Sequence, residues 1–463
     1  MRRVSLLALL CLAAAPANAE LTPKQRADVA LLIERAMKDE RAYEILASLT
    51  TEVGPRLGGT EAEARARVWG EVKLRSLGFK NVRTETFDMP VWTRVAESAA
   101  LVAPFAQPLH LTALGNSVST PAGGVEAAVV RFPSLGALEA APMTGLEGKI
   151  VFVDEPMTRT QDGSGYGVAV AKRSGAANEA SKRGAAAAII RSVGTDSHRF
   201  PHTGNMSYAE GVTPIPTAAL SNPDADLLAD AIIRAKKPVR LKLDLQTQLI
   251  EKAQSGNVIG EIPGRSDELI VIGGHLDSWD LGTGAVDDAS GIAITATAAK
   301  LVDELKGQPG RTIRVVMWGA EEVGIRGGRA YAEKHKDDLA RHVLAAESDF
   351  GAGRVWQLRT RFGTGREAYS KNLAEALHPL GVGPGNNEAF GGADVGPLRA
   401  AGVPVLDLAQ DGSDYFDLHH TANDTLDKID KQALKQNVAA WAVMLYLAGE
   451  FESGFRANDA LAP

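Results

Sequence analysis

The stretch VIGGHLDSWDLGTGAVDDASG, from Val271 to Gly291, sets an apolar β-type run before His275 and Asp277, then a glycine-rich loop, then Asp287 and Asp288 at a helix start. Imidazoles and carboxylates converging on one point are what a divalent cation needs. His275 and Asp287 are too far apart in sequence to share one helical face, so they must come from separate loop ends. In open α/β sheets such loop ends converge outside the carboxyl ends of strands, which predicts further ligands after other strands. Three more strand ends carry them: TIRVVMW runs into Glu321 and Glu322, HVLAA into Glu347, Ser348 and Asp349, and PVLDL is followed by YFDLHHTANDT with His419 and His420. Taken singly, each has a plain structural reading, a hydrogen-bonded His or an acidic pair complementing a helix dipole. Four strand ends bearing the right residue types argue jointly for a site. The set contains no thiolate, and hard oxygen ligands with imidazoles suit zinc or a similar divalent ion, with a carboxylate able to bridge two.

The elements that must position these residues follow from the patterning. Beyond Ser255, strands at 269–273, 312–318, 343–347 and 404–408 alternate with helices at 289–305, 327–336 and 431–450, which predicts a largely parallel sheet with helices on both faces. Near the start, Thr22 and Pro23 open a helix to about Lys38, and a second helix lies near 43–50. Thr60 and Glu63 have the spacing of a capping box for a helix to about Leu77, and 82–92 alternates as a strand. Between Ser119 and Thr247 the texture changes to Ala, Gly and Pro with short strands at 149–154, 185–191 and 216–220, and an Ala-rich helix around 176–183. This reads as a domain inserted into the catalytic one. The expected division is a signal at 1–19, an N-terminal part of the catalytic domain at 20–118, the insert at 119–247 and the catalytic remainder at 248–463. His198 and His202, in HRFPH, read as an exposed polar loop of the insert.

The chain begins MRRVSLLALLCLAAAPANAE, two arginines, a short apolar core and a small-x-small ending at Ala17, Asn18 and Ala19, the pattern of a cleavable secretory signal. No later segment approaches ~20 uninterrupted apolar residues. A periplasmic or secreted protein without a membrane anchor in its mature chain is expected. The single cysteine, Cys11, lies in the signal, so any metal site must use His and carboxylates. With 463 residues, 45% hydrophobic and 23% charged, the chain can bury a large core in two or three domains. A net charge of −7 without a basic run speaks against nucleic acid as a partner.

GGHLDSWD, GAVDDASG, WGAEEVG, ESDFG and LHHTANDTLDKID, in that order, resemble the co-catalytic zinc exopeptidases, most closely their carboxypeptidase Q branch. GKIVFVDE, KRGAAAAIIR and IPTAALS resemble the protease-associated domain inserted in several exported peptidases. The resemblance implies a three-layer α/β/α sandwich with a mostly parallel central sheet, plus an inserted protease-associated α/β domain. It implies two zinc ions per chain, one held by His275, Asp287 and Asp349, the other by Asp287, Glu322 and His420. Glu321 falls at the general base, Asp277 at the acid that orients the first His, and the Asp287–Asp288 peptide at a non-proline cis bond. The implied activity is hydrolysis at the chain ends of short peptides or dipeptides, with an aminopeptidase for longer peptides as the alternative. A receptor-like binding protein and a one-zinc acyltransferase of the glutaminyl-cyclase kind are the readings from other classes; a homodimer is left open. One departure stands out. Many relatives carry Tyr before the last His ligand to assist the oxyanion, whereas this chain has His419, leaving Tyr415 as a substitute donor.

Overall fold

The computed structural model describes residues 20–457. At the centre of the catalytic half lies the strand Ser266–His275, paired in parallel with Arg311–Trp318 on one side and His342–Glu347 on the other. Val405–Gln410 continues the parallel order, while Val355–Arg361 and Arg240–Ile262 join at the flanks antiparallel. The register sets Trp318 beside His275 and Glu347 beside Gly273. The chain therefore leaves three neighbouring strands at one level, and the residues that follow face one another.

These strands are apolar throughout because both faces are covered. Side chains alternate across a strand, so Ile270 and Ile272 enter one core with Ile313, Val315 and Met317, while Leu269 and Val271 enter the other with Val316 and Trp318. The first core is closed by the helices Pro23–Ala36, Arg41–Glu52, Ser290–Asp303 and Lys431–Glu450, the second by Arg326–Lys334 and Gly396–Ala400. Ser290–Asp303 is buried on nearly every side, as its run of Ile, Ala and Thr requires. The result is the expected α/β/α layering with a parallel centre.

The region from 119 to 247 adds Val125–Phe132, Ile150–Val153, Ala187–Arg191 and Thr217–Leu220, parallel to one another in that order. Ile150 and Phe152 face one core, closed by Asn222–Arg234; Val151 and Val153 face another, closed by Lys172–Lys182. Two long strands, Lys80–Ala103 and Arg240–Ile262, run antiparallel from Lys80 opposite Glu261 to Ala103 opposite Arg240 and tie this region to the catalytic sheet. The first was expected only over 82–92; its far half is held by a partner some 150 residues away in sequence, which local alternation cannot reveal. Leu111–Ala113 likewise pairs with Thr217–Leu220. Val355–Arg361 and Glu367–Leu377 are further elements that the patterning did not single out. At 60–63 the capping box is half formed: Thr60 accepts from the Glu63 amide, but the Glu63 carboxylate is drawn inward to Ser255. The expected signal, 1–19, lies outside the described residues, among which no helix is long and apolar enough to cross a membrane.

Candidate metal centre

Asp287 is the hinge of the site. Its Oδ1 lies 2.9 Å from His275 Nε2, and its Oδ2 lies 3.3 Å from His420 Nε2, so one carboxylate offers an oxygen to each of two imidazoles. On the first side Asp349 Oδ1 stands 3.5 Å from His275 Nε2; on the second, Glu322 Oε2 stands 2.9 Å from His420 Nε2. All five residues proposed from the sequence as ligands meet here. His419 stacks on His420 with ring centroids 3.5 Å apart and brings its Nε2 to 3.6 Å from Asp287 Oδ2, a longer approach to the second side than that of Glu322 to His420.

The backbone is arranged around this point. The Asp287–Asp288 peptide is cis, and the Asp288 carboxylate accepts from the amides of His275 and Gly291, locking the strand end against the helix start. A Cβ on Gly274 would run into that carboxylate, which explains the glycine. Asp424 accepts from the amides of Val286 and Asp287. Ala320 and His420 hold positive φ, 55° and 63°, a conformation unfavourable to side-chain-bearing residues that here aims Glu321, Glu322 and the His420 ring at one cavity.

Asp277 stands beside His275: its backbone carbonyl lies 3.0 Å from Nδ1 and its carboxylate 3.7 Å from the same nitrogen. That carboxylate also accepts from the amides of Glu321 and Glu322, at 2.9 and 3.3 Å, and so positions the proposed base and a proposed ligand together. His202 is displaced from its expected place. It is buried, not exposed, with Nε2 2.7 Å from Asp196 Oδ2 and Nδ1 2.7 Å from the carbonyl of His419, tying the 119–247 region to the histidine loop; His198 is exposed, as expected.

Sequence reasoning missed Arg56, whose buried guanidinium donates to the carbonyls of Gly54, Leu276, Thr283 and Gly284 and so clamps both ends of the loop between His275 and Asp287. Burial lowers it to about 10 even though Asp424, Asp277, Asp288 and Asp287 pull upward. Its only sequence signal is its place in GPRLGGT. Tyr166, Arg173 and Asn205 of the 119–247 region were also missed; they line the cavity of about 370 Å³ together with Asp287, Glu321, Glu322 and Asp349.

The donor set fits cations. Asp287 Oδ2 and Glu322 Oε1 are buried without a hydrogen-bond partner. Burial first, and then the charges of Asp349, Glu322 and Asp394, push Glu321 well above the ordinary carboxylate range against a lowering pull from His275. Glu322 is driven up by burial and by Asp287. A buried ion left uncompensated costs several kcal/mol. Divalent cations between these oxygens would reverse that balance.

Fold and site together define a metal-dependent hydrolase with its chemistry at the carboxyl ends of a parallel sheet. Residues 257–445 match the model of peptidase family M28. Carboxypeptidase Q of Mus musculus is 35% identical over 416 residues, spanning 89% of this chain and 86% of that protein. A solved peptidase M28 precursor from Shewanella amazonensis SB2B is 47% identical with a TM-score of 0.92, spanning 94% of this chain and 98% of that one. A zinc aminopeptidase from Bacillus subtilis shares the fold at 19% identity and a TM-score of 0.65, over 89% of this chain and 96% of its own. The chain belongs to peptidase family M28 and is a metallopeptidase.

Proposed function

We propose that this chain is an exported zinc exopeptidase that releases amino acids from short peptides, dipeptides above all. The observation that carries the reading is the split carriage of Asp287, one oxygen toward His275 and Asp349, the other toward His420 and Glu322. His275, Asp287 and Asp349 would hold one ion, and Asp287, Glu322 and His420 the other. Zinc bound there would polarise the scissile carbonyl and acidify the attacking water. Glu321, whose amide is pinned by Asp277, extends a carboxylate into the cavity. It takes the water's proton as the new C–O bond forms and the carbonyl pair moves onto oxygen, then delivers that proton to the amide nitrogen as the C–N bond breaks.

Chain-end cleavage is supported by the cover. The 119–247 region, read as an inserted domain, places Tyr166, Arg173 and Asn205 over the ligands, and a cavity of about 370 Å³ is at the small end of ligand pockets, roughly 300–1,000 Å³. A chain end enters such a space more readily than a chain middle. The relatives, carboxypeptidase Q and an aminopeptidase, support exopeptidase chemistry and leave the choice of end to experiment. Mass spectrometry of products from a ten-residue peptide, and rates on free, N-blocked and C-blocked dipeptides, test the reading. Single amino acids should appear first, with free dipeptides turned over fastest. Internal fragments appearing first would overturn it, and preference for longer peptides with a free amino end would favour the aminopeptidase alternative. Export is supported by the composition of 1–19; sequencing the mature protein should find Glu20 at its start.

A further inference from the structure

His419 precedes the proposed ligand His420 and lines the same cavity. Its Nδ1 is buried without a partner, and its Nε2 faces Asp287. A phenol does reach the cavity beside it, from the insert. The Tyr166 ring lies edge-on to His419 with centroids 5.3 Å apart and stacks on Phe416 at 4.9 Å, so its place is set by packing. Its hydroxyl oxygen accepts from Arg173 Nη1 at 2.8 Å and makes no other hydrogen bond among the described residues. An oxygen that accepts from a guanidinium must aim its own hydrogen elsewhere, and the accepted bond polarises that O–H into a better donor. The space before it is the cavity that Glu321, Glu322 and Asp287 also line. Arg173, buried and reaching 3.3 Å from His420 Nδ1 with its other amino group, keys the phenol to the proposed ligand ring.

We infer that Tyr166 is the catalytic hydrogen-bond donor to the oxygen that becomes negative when the scissile carbonyl is attacked, with Arg173 as its positioning residue. The assignment rests on the hydrolytic reading above and makes the insert part of the catalytic machinery, beyond a cover. Tyr415 is the rival phenol: it lines the same cavity but has no cation on its hydroxyl among the described residues.

The test uses the zinc-loaded full chain. Tyr166→Phe keeps the ring and its packing. It should lower kcat on a dipeptide by about 10²-fold, the usual effect of removing one oxyanion donor, with little change in KM, zinc content or Tm. Inorganic phosphate, a tetrahedral oxyanion, should bind Tyr166→Phe about tenfold more weakly by calorimetry. Arg173→Met should have a smaller effect on kcat that does not add to that of Tyr166→Phe, because both act through one hydroxyl. Full kcat and unchanged phosphate affinity in Tyr166→Phe would overturn the assignment, as would a loss carried by Tyr415→Phe alone. If dipeptides prove not to be substrates, the phosphate measurement still decides for or against Tyr166, so the two readings fail separately.

Discussion

Two polar clusters, one in the 119–247 region and one at the candidate metal centre, treat their hydrogen bonds in opposite ways. In the 119–247 region, His202 uses both ring nitrogens, on Asp196 and on the His419 carbonyl, and Asp154 is held by Arg131 and Arg191. On the catalytic side, Asp287 and Glu322 each keep a buried oxygen without a partner among crowded carboxylates. Buried polar groups in proteins are nearly always satisfied. A satisfied network is there to hold shape, and an unsatisfied one facing a cavity is there to hold something else.

The contrast is broken most directly at its hinge. Asp287→Ala should empty both metal positions and abolish turnover, because neither ligand set is complete without it; elemental analysis finding both ions retained would remove the bridging role. Next in size, Glu321→Gln should cut kcat by roughly 10² to 10⁴ while metal content stays as in the parent, since the residue moves a proton and holds no ion. Near-parental kcat would end its assignment as the base.

In the 119–247 region the expected effects are on stability. His202→Ala strands the buried Asp196 carboxylate and releases the histidine loop, and should cost about 3 kcal/mol by denaturant titration with metal content unchanged. His198→Ala, at an exposed position, should cost less than about 0.5 kcal/mol. Metal loss from a variant carrying both His198→Ala and His202→Ala would show the 119–247 region supplying a ligand.

A pH-dependent effect concerns Glu63, which burial pushes up to about 7 from 4.5 despite the lowering pull of Arg67. Between those values the folded chain holds a proton that the unfolded chain has released, so this stabilising term is complete below pH 4.5 and is lost as pH rises through 7. Glu63→Gln mimics the protonated form. Its Tm relative to the parent should rise with pH across that window, by roughly 1–3 °C; a difference independent of pH would show that Glu63 does not titrate there.

Much of this was legible in the chain itself. Ser266–His275 and Arg311–Trp318 announce themselves because a strand covered on both faces must be apolar at every position, and that pattern is local. His275, Asp287, Glu321, Glu322, Asp349 and His420 could be gathered as candidates, with Glu347 and His419 beside them, because a parallel sheet delivers chemistry at strand ends, and strand ends can be read from where apolar runs stop; the choice among neighbours came from the resemblance of the motifs.

What only the tertiary structure decided depends on partners far away in sequence. The far half of Lys80–Ala103 is a strand because Arg240–Ile262 lies against it. Asp277 serves the amides of Glu321 and Glu322 because the register brings Trp318 beside His275, an arrangement no spacing within one motif expresses. His202 is buried because the histidine loop folds onto it, and Arg56 is a clamp because four carbonyls from separate turns close around it. Residue type and local period determine which groups can do chemistry and at which ends of the strands they emerge. Which atom of each group faces which neighbour is set by long-range packing, and at this site that choice separates a ligand, a base and a support.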